Sequence, residues 1–382
     1  MTQRYDIIIF GGGIAGLFIA SRLQRAGYNI ILVEKDKLGG VQTLASQGMI
    51  HGGQKYTLQG NVTAHAAGIS AMPERWNACF AGRGEVDLSA VKFLNDTQVM
   101  FPAGSLFSSL TVFAASKAIN GKTRKLPRKS FPQVLQRGPV YEMQEKVLDT
   151  KSLITALSKN LQGRIFKGEP EEILPNGQVS IAGNKFQAQA IIFTAGTGNE
   201  TALRLLNVTE QHTQRRPLRQ IMVKPMPQAL YGHGIVSKPK PRVTITSHPD
   251  SSGSYIWYLG GAIAEEGAKL SEAEALAFAK KEMQEIFPAI DWTQKEWASW
   301  YGDRAEAFDP SGHLPAGPCL QQRGKILLAW PTKMTFVPAL ADSVFDWLEK
   351  SKITPSSETP PPSLTAAEIG SYPWEVATWQ HL

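Results

Sequence analysis

The sequence predicts an α/β fold in which two domains share the chain in alternating segments. Two patterns predict it: a glycine-rich turn between a strand and a helix near the N-terminus, and β-branched and aromatic runs from about 215 to 262. A chain of 382 residues is also too long for one ordinary core. We therefore expect an α/β domain interleaved with a mainly β domain.

Composition is that of a globular protein, with 42% hydrophobic and 19% charged residues. No apolar run approaches the roughly 18 residues that a membrane-spanning helix needs. The two cysteines, Cys79 and Cys319, stand far apart without CxxC spacing, so neither a disulfide framework nor a zinc site is indicated. We expect a reducing, cytoplasmic compartment and no metal.

The first 34 residues predict one βαβ unit. Asp6 to Phe10 and Ile30 to Val33 are typical of buried strands, and Leu17 to Ala26 between them has the apolar spacing of a helix that stops at Gly27. A strand, helix and strand in this order form the first unit of a Rossmann-like domain.

The turn inside this unit carries the spacing Gly11-x-Gly13-x-x-Gly16, and Glu34 follows 21 residues after Gly13. The first glycine makes the turn, the second lets the backbone approach a pyrophosphate at the helix N-terminus, and the third allows tight helix packing. The acid takes a ribose hydroxyl. In this context the motif predicts a dinucleotide site.

A second glycine pair, Gly39-Gly40, follows soon after, with Gln42 and Thr43 behind it. A flavin's pyrophosphate and ribityl chain would continue along this stretch, which favours FAD over NAD. We find no second GxGxxG unit to hold NAD(P)H. The substrate itself is therefore expected to donate the electrons.

Further elements are predicted downstream. Two helices and two strands are expected, followed by a helix near the C-terminal end that begins at Pro338. The helices are 151–161 and 271–286, and the strands are 190–193 and 326–330.

These elements suggest where the domains alternate. We assign 1–75, 145–214 and 300–350 to a discontinuous FAD-binding domain, 76–144 and 215–299 to a substrate domain, and 351–382 to a proline-rich connector with a docked C-terminal tail.

Several stretches, in this order, resemble the D-amino-acid-oxidase type of FAD-dependent oxidoreductase, nearest in motif to glycerol-3-phosphate and L-2-hydroxyglutarate dehydrogenases. They are GGGIAGLFIASRL, the acid in LVEKD, the glycine pair, QGMIHGGQKY, IIFTAGTGN, RAEAFDPSGHLPAGP and KILLAWPTKMTFVPALAD. The resemblance implies FAD and a small, anionic substrate whose C–H bond beside a hydroxyl or amine is oxidised by hydride transfer to flavin N5. A quinone, oxygen or an electron carrier would then take the electrons.

The resemblance also implies site residues. His51 would lie beside the flavin ring, and Lys55 and Arg304 would face the substrate anion. The alternatives are that His51 packs, that Lys55 is solvated, and that Arg304 pairs with Asp303, Glu306 or Asp309. The residues expected to bind the cofactor are Gly11, Gly13, Ile14, Ala15, Gly16, Glu34, Lys35, Gly40, Gln42, Thr43, Gly48, Met49, Ala195, Gly196, Lys333 and Met334.

Two other functions stay open at this point. One is an NAD(P)H-dependent flavin monooxygenase. Gly302-Asp303 resembles a motif of those enzymes, but the glycine-rich helix opening that should follow it is missing. The other is a flavin-bearing assembly or binding protein with little turnover.

The segment from Lys117 to Arg137 contains seven Lys or Arg and no acid, within a chain of formal net charge +7. It is either a solvated basic region or a surface for an anionic membrane on which a quinone waits. Nucleic acid is not expected, because no nucleic-acid-binding pattern accompanies the charge.

Overall fold

The structure, a computed structural model, describes residues 2–50, 71–104, 123–135, 138–238, 240–310, 315, 317–331, 333–357 and 359–382. The helices are α1 (Ile14–Arg25), α2 (Met72–Phe80), α3 (Thr150–Asn160), α4 (Asn199–Leu205), α5 (Ala262–Gly267), α6 (Glu272–Ile286), α7 (Val337–Lys350) and α8 (Pro373–Val376). Within this part of the chain, none of the helices combines the length and apolar character needed to cross a membrane.

The strands are β1 (Gln3–Phe10), β2 (Ile30–Glu34), β3 (Phe93–Asn95), β4 (Gln98–Pro102), β5 (Thr123–Lys125), β6 (Tyr141–Met143), β7 (Val147–Leu148), β8 (Ile165–Lys167), β9 (Pro170–Ile173), β10 (Gln178–Ile181), β11 (Asn184–Phe193), β12 (Thr213–Met226), β13 (Gly232–Ile235), β14 (Val243–Pro249), β15 (Tyr255–Gly260), β16 (Glu296–Ala307), β17 (Cys319–Arg323), β18 (Ile326–Trp330) and β19 (Gln380–His381).

The first sheet has the order β17-β18-β11-β1-β2-β8, with β10 pairing β11 and β9 pairing β10. Strands β18, β11, β1, β2 and β8 run parallel. The strand β1 is buried on both faces because Ile7 and Ile9 pack into one core cluster while Ile8 and Phe10 pack into another. This is the apolar pattern of a parallel sheet covered on both sides.

Helix α1 connects β1 to β2 and packs against α7 in the first of these clusters. Leu17 and Leu23 supply the apolar face of α1, and Leu340 and Val344 that of α7. Helix α7 begins at Val337, with Pro338 in its first turn, close to the predicted start. The N-termini of both helices therefore lie at the carboxyl edge of the first sheet.

The second sheet has the order β19-β16-β12-β15-β14-β13-β4-β6-β5. One face packs on α6, since Val223, Trp257 and Leu259 share a core cluster with Leu276 and Met283. Because side chains alternate along a strand, the residues between them face the other way, toward the first sheet. The two strands β12 and β16 pair along most of their length.

Helix α6 starts where the sequence predicts it. The Ser271 hydroxyl accepts a hydrogen bond from the Glu274 backbone N–H (3.4 Å), and the Glu274 carboxylate accepts one from the Ser271 backbone N–H (3.0 Å). This reciprocal pair is a capping box, which satisfies two helix-end donors locally. Residue 300, where we placed a domain boundary, lies inside β16 and so within one strand of the second sheet.

The C-terminal segment crosses both parts of the molecule. The Leu38 N–H donates to the Glu368 carbonyl (2.8 Å) and the Gly370 N–H donates to the Leu38 carbonyl (3.0 Å), beside the first sheet. Strand β19 pairs with β16 at the edge of the second sheet. The segment therefore joins a loop of the first domain to the second sheet.

Candidate functional site: a dinucleotide cleft between two sheets

A cavity of about 440 Å³ lies between the carboxyl edge of the first sheet and the inward face of the second. Open α/β sheets bind their ligands at this edge. The cavity brings together most of the site residues that the sequence predicts. They are Gly11, Gly13, Ile14, Ala15, Glu34, Gly40, Gln42, Thr43, Gly48, Met49, Ala195, Gly196, Arg304, Lys333 and Met334.

The glycines of the turn do different jobs. Gly11 has φ +108°, and a Cβ there would lie 2.7 Å from the Ala195 backbone. A Cβ on Gly16 would lie 2.0 Å from the Gly11 carbonyl oxygen, so Gly16 allows the helix to pack against the turn rather than lining the cavity. A Cβ on Gly13 would meet only Thr43 Oγ1, at 3.4 Å, so the space beside Gly13 opens into the cleft.

The N-terminus of α1 points into this cleft. Gly13 is the N-cap and makes no side-chain cap, and the first turn contains no acid. Thr43 Oγ1 accepts a hydrogen bond from the Ile14 N–H (3.1 Å). The positive end of the helix is thus left for an anion such as a pyrophosphate.

Glu34 ends β2 at the rim of the cleft. One carboxylate oxygen accepts from the Gly12 N–H (2.5 Å) and the other from the Asp36 N–H (2.9 Å). Burial raises the pKa of the Glu34 carboxyl, although these two hydrogen bonds oppose the rise. A carboxylate held in this way keeps lone pairs that can accept a hydrogen bond from a ligand hydroxyl.

Lys35 does not line the cleft. Its ammonium pairs with Glu169 (3.0 Å) and its side chain is 63% exposed. Lys35 lies in a bend just after β2 ends, and its side chain points to solvent. The contact between Lys35 and the cofactor that we predicted is therefore not supported, because Lys35 does not line the cleft. His51 and Lys55, two of the three predicted catalytic residues, lie outside the described residues.

Arg304 lies in β16 on the cleft wall, opposite Arg216 of β12. Its Nε donates to the Arg216 carbonyl (3.3 Å), and its Nη1 is 3.6 Å from Glu265 Oε1, while Lys240 contacts the other carboxylate oxygen of Glu265 at 2.5 Å. Burial first, and then the charge of Arg216, lower the pKa of the Arg304 guanidinium. This cation is therefore poorly compensated.

Two of the acids that were alternative partners for Arg304 are taken by other arginines. Glu306, which is buried, accepts hydrogen bonds from Arg216 at 2.8–3.0 Å. Asp303 pairs with Arg215 at 3.2 Å. In the described structure the long contact with Glu265 is the one ion pair of Arg304. Its guanidinium could therefore also bind an anion in the cleft.

Lys333 and Met334 stand where β18 gives way to α7. The Lys333 N–H donates to the Pro331 carbonyl (2.7 Å), and the Lys333 carbonyl accepts from the Phe336 N–H (3.0 Å). These bonds form a single helical turn that leads into α7. Lys333 and Met334 at this turn line the cleft.

Sequence reasoning expected the β-rich region to cover the flavin but named no residue of β12, β14 or β15 as a site residue. Leu218 and Gln220 of β12, Thr244 of β14 and Trp300 of β16 line the cavity. Alternation along these strands could have predicted that they share a face, but only the pairing of β12 with β16 shows that this face meets the glycine turn.

A loop of the first domain is tied to this sheet. Gln47 Nε2 donates to the carbonyls of Thr244 (3.0 Å) and Tyr258 (3.1 Å), and the Tyr258 hydroxyl donates to the Ala45 carbonyl (2.8 Å). Burial raises the pKa of Tyr258 well above its usual value, which keeps the phenol protonated as a donor. The loop that lines the cleft from Gly39 to Met49 is thereby fixed.

The cleft fits a bound dinucleotide. The glycine turn leaves room beside Gly13, and the N-cap of α1 makes no side-chain hydrogen bond. Two buried polar atoms of residues that line the cavity, Gln220 Oε1 and Trp330 Nε1, have no hydrogen-bond partner among the described residues. The described residues contain no cluster of His, Cys, Asp or Glu that could hold a metal ion.

Comparisons with known proteins agree with this geometry. The chain is 40% identical to the FAD-dependent oxidoreductase PA4991 of Pseudomonas aeruginosa over 382 residues, covering 97% of this chain and 98% of that protein. The crystal structure of PA4991 superposes with a TM-score of 0.85 at 35% identity, over 98% of this chain and 99% of that one.

More distant structures share the fold. Glycine oxidase from Geobacillus kaustophilus has a TM-score of 0.64 at 16% identity, over 97% of this chain and all (100%) of that one. L-α-glycerophosphate oxidase from Mycoplasma pneumoniae, solved with FAD bound, has a TM-score of 0.64 at 13% identity, over 97% and 100%.

The model of one family, described as DAO, FAD dependent oxidoreductase, matches residues 6–342. The match spans the glycine turn, the strands of the second sheet other than β19, and the beginning of α7. The chain therefore belongs to the DAO family of FAD-dependent oxidoreductases, and its cofactor is FAD.

Proposed function

We propose that the protein oxidises a C–H bond beside a hydroxyl or amine of a small anionic substrate. The observation that carries this proposal is the position of Arg304, a partly buried cation on the cleft wall whose one ion pair in the described structure is long. Buried charge is costly without a partner, so the site favours a ligand that supplies a negative group.

Each part of the cleft has a task in this reaction. FAD, when bound, supplies flavin N5 as the acceptor of the hydride. Gly13 and the N-terminus of α1 would hold its pyrophosphate, Glu34 its ribose, and the turn at Lys333 would border the negative end of the reduced ring. Arg304 would orient the substrate by its anion, so that one C–H bond is presented repeatedly in the same direction.

The wall of the second sheet would also exclude water. Trp300 and Leu218 cover the cleft from β16 and β12. In a dry site the contact between a guanidinium and an anion is stronger than in water. We infer that substrate binding and water exclusion come from the same two strands.

The test is anaerobic mixing of the FAD-loaded protein with a panel of hydroxy acids, amino acids and polyol phosphates. We expect at least one of them to bleach the flavin without NAD(P)H. A flavin monooxygenase would need NAD(P)H for bleaching, and a binding protein with little turnover would not bleach with either. Re-oxidation by oxygen, by a quinone analogue or by an added carrier protein then ranks the electron acceptors.

A second proposal concerns the basic segment. Lys125 and Lys129, in its described part, are exposed, and Arg124 pairs with Glu142 at 2.9 Å. We propose peripheral contact with an anionic membrane, which should weaken with salt because screening acts over about 8 Å at physiological ionic strength. If vesicles rich in phosphatidylserine do not retain the protein at low salt, this proposal is wrong.

A further inference from the structure

Trp76 in α2 contacts the backbone of the turn that leads into α7. Its side chain is fully buried, and its Nε1 donates a hydrogen bond to the Thr335 carbonyl (3.0 Å). Trp76 does not line the cleft, whereas Thr335 does. The bond therefore ties a helix outside the cleft to the backbone of a residue that lines it.

This bond fixes the peptide unit between Thr335 and Phe336. The carbonyl of that unit accepts from the indole, and its N–H donates to the Lys333 carbonyl (3.0 Å). A peptide unit is planar, so holding both of its polar ends leaves it little freedom to rotate. Trp76 therefore helps to set the direction of the backbone dipoles in this turn.

Two arginines hold the first turn of α7. The Pro338 carbonyl accepts hydrogen bonds from Arg75 Nη2 (3.3 Å) and from Arg22 Nη1 (3.4 Å). Both arginines also pair with Asp342 and with Glu85, at 2.6–2.8 Å. The two cations and two anions balance, so this cluster acts through the positions of α1, α2 and α7 rather than through a net charge.

The helix end that these contacts hold borders the cleft. Lys333 and Met334 line the cavity, and the N-terminal end of a helix carries partial positive charge. Neither the turn from Met334 to Phe336 nor α7 has a side-chain cap or an acid in its first turn. The turn therefore favours a negative charge in the cleft, such as the charge that a flavin gains on reduction.

Dipoles stabilise a charge best when they are already held in the right direction, because they then need no reorganisation. The proposed function puts this turn beside the negative end of the reduced ring. Resting on that function, we propose that Trp76 is a positioning residue for the flavin. Its hydrogen bond to Thr335 keeps the turn in place and thereby raises the reduction potential of bound FAD.

Trp76→Phe tests the inference, because it removes the indole N–H and keeps an aromatic ring between Phe18 and Phe80. Trp257→Phe is the matched control. Trp257 is also fully buried, and its Nε1 donates to the Gln228 carbonyl (2.9 Å) away from the cleft. Both substitutions shrink a buried side chain and should lower the unfolding free energy, but only Trp76→Phe should affect the turn.

Two measurements are compared. Hydrogen exchange of the FAD-free proteins reports the opening of the backbone amides from 334 to 337, and dithionite titration with reference dyes gives the reduction potential of the FAD-loaded proteins. For Trp76→Phe we expect exchange at these amides to be about 2- to 10-fold faster, the range for losing one neutral hydrogen bond. The potential should fall by up to about 30 mV, which corresponds to a tenfold change for a two-electron couple. FAD content should stay unchanged, and Trp257→Phe should match the wild type in both measurements.

A second pair of variants decides the question if Trp76→Phe does not fold. Arg75→Lys keeps the charge but loses the planar fork that contacts Pro338. Arg242→Lys is its control, because Arg242 also contacts two acids and one backbone carbonyl, that of Ala103 (2.9 Å), away from the cleft. Faster exchange at the turn and a lower potential in Arg75→Lys alone support the inference, and wild-type values in Arg75→Lys refute it.

Three results with Trp76→Phe would overturn the inference. They are unchanged exchange at the turn, faster exchange with a wild-type reduction potential, and an equal change in Trp257→Phe. Dithionite supplies the electrons, so the potential can be measured even if no compound of the substrate panel reduces the flavin. Failure of this inference is therefore distinguishable from failure of the proposed function.

Discussion

At the residue scale, Glu34 combines two features. It accepts a hydrogen bond from the Gly12 N–H and is our proposed acceptor for a ribose hydroxyl, and it is partly buried at the rim of the cavity. Burial favours its protonated form in the absence of FAD, as the raised pKa shows. The ionised Glu34 therefore lowers the stability of the apoprotein at neutral pH, and we expect this destabilisation to be offset when the dinucleotide binds.

Replacing Glu34 by Gln tests this balance. A carboxyl whose folded pKa lies above its unfolded value binds more protons when folded, so its contribution to stability falls as pH rises through that window. In urea unfolding of the two apoproteins, the unfolding free energy of the Gln variant should rise relative to that of the wild type between about pH 4 and about pH 7. Its FAD affinity should fall. An unchanged stability difference at the two pH values would contradict the burial argument.

At the scale of the element, α1 and its N-cap contain two glycines, Gly13 and Gly16, whose small size serves different purposes. Gly16 must be small for the helix to pack, whereas Gly13 must be small for the ligand to approach. Substitution by alanine should therefore affect mainly folding at Gly16 and mainly cofactor binding at Gly13.

We expect Gly16→Ala to lower the unfolding free energy of the apoprotein by about 1–3 kcal/mol, because its Cβ would overlap the Gly11 carbonyl. Gly13→Ala should leave that free energy close to the wild-type value and still reduce the bound FAD. Thermal unfolding of apoproteins and flavin content after purification measure the two effects. If Gly13→Ala retains FAD fully, the pyrophosphate does not pass beside Gly13.

Elements with local signals could be predicted from the sequence, and the wall of the cleft could not. The glycine turn, the helix capped at Ser271 and the strand at 326–330 each depend on residues close together in the chain. Gln220 and Trp300 meet the dinucleotide site only because β12 and β16 pair in one register over a separation of about eighty residues. Long-range pairing of this kind leaves no short-range pattern.

At the scale of the whole molecule, the C-terminal segment acts as a strap between the two sheets. Trp374 stacks on Tyr372 with 4.3 Å between ring centroids and lies 3.8 Å from His248 of β14. The Tyr372 hydroxyl donates to Asp149 (2.8 Å) beside the N-terminus of α3. Burial lowers the pKa of His248 to about 3, so this contact is made by a neutral imidazole near neutral pH.

Trp374→Ala should loosen this strap. We expect a loss of about 3–5 kcal/mol in unfolding free energy, the range for removing a buried large aromatic side chain, and faster release of FAD. Glu368→Ala is the control, because its ion pair with Lys37 is exposed and should contribute little. Equal FAD release rates in the two variants would show that the C-terminal segment does not hold the loop from Gly39 to Met49 that lines the cleft.

The anaerobic reduction of bound FAD, measured for the wild type and for Arg304→Met, tests the central claim most directly. The reductants are the substrate found in the panel and its neutral amide or ester. We predict that Arg304→Met keeps its FAD, loses about 10- to 100-fold in reduction by the anionic compound, and no longer prefers it to the neutral one. Arg219→Met, on the neighbouring strand but away from the cleft, should keep the wild-type preference. An Arg304→Met protein that retains that preference at the wild-type rate would contradict the assignment of this cleft to an anionic substrate.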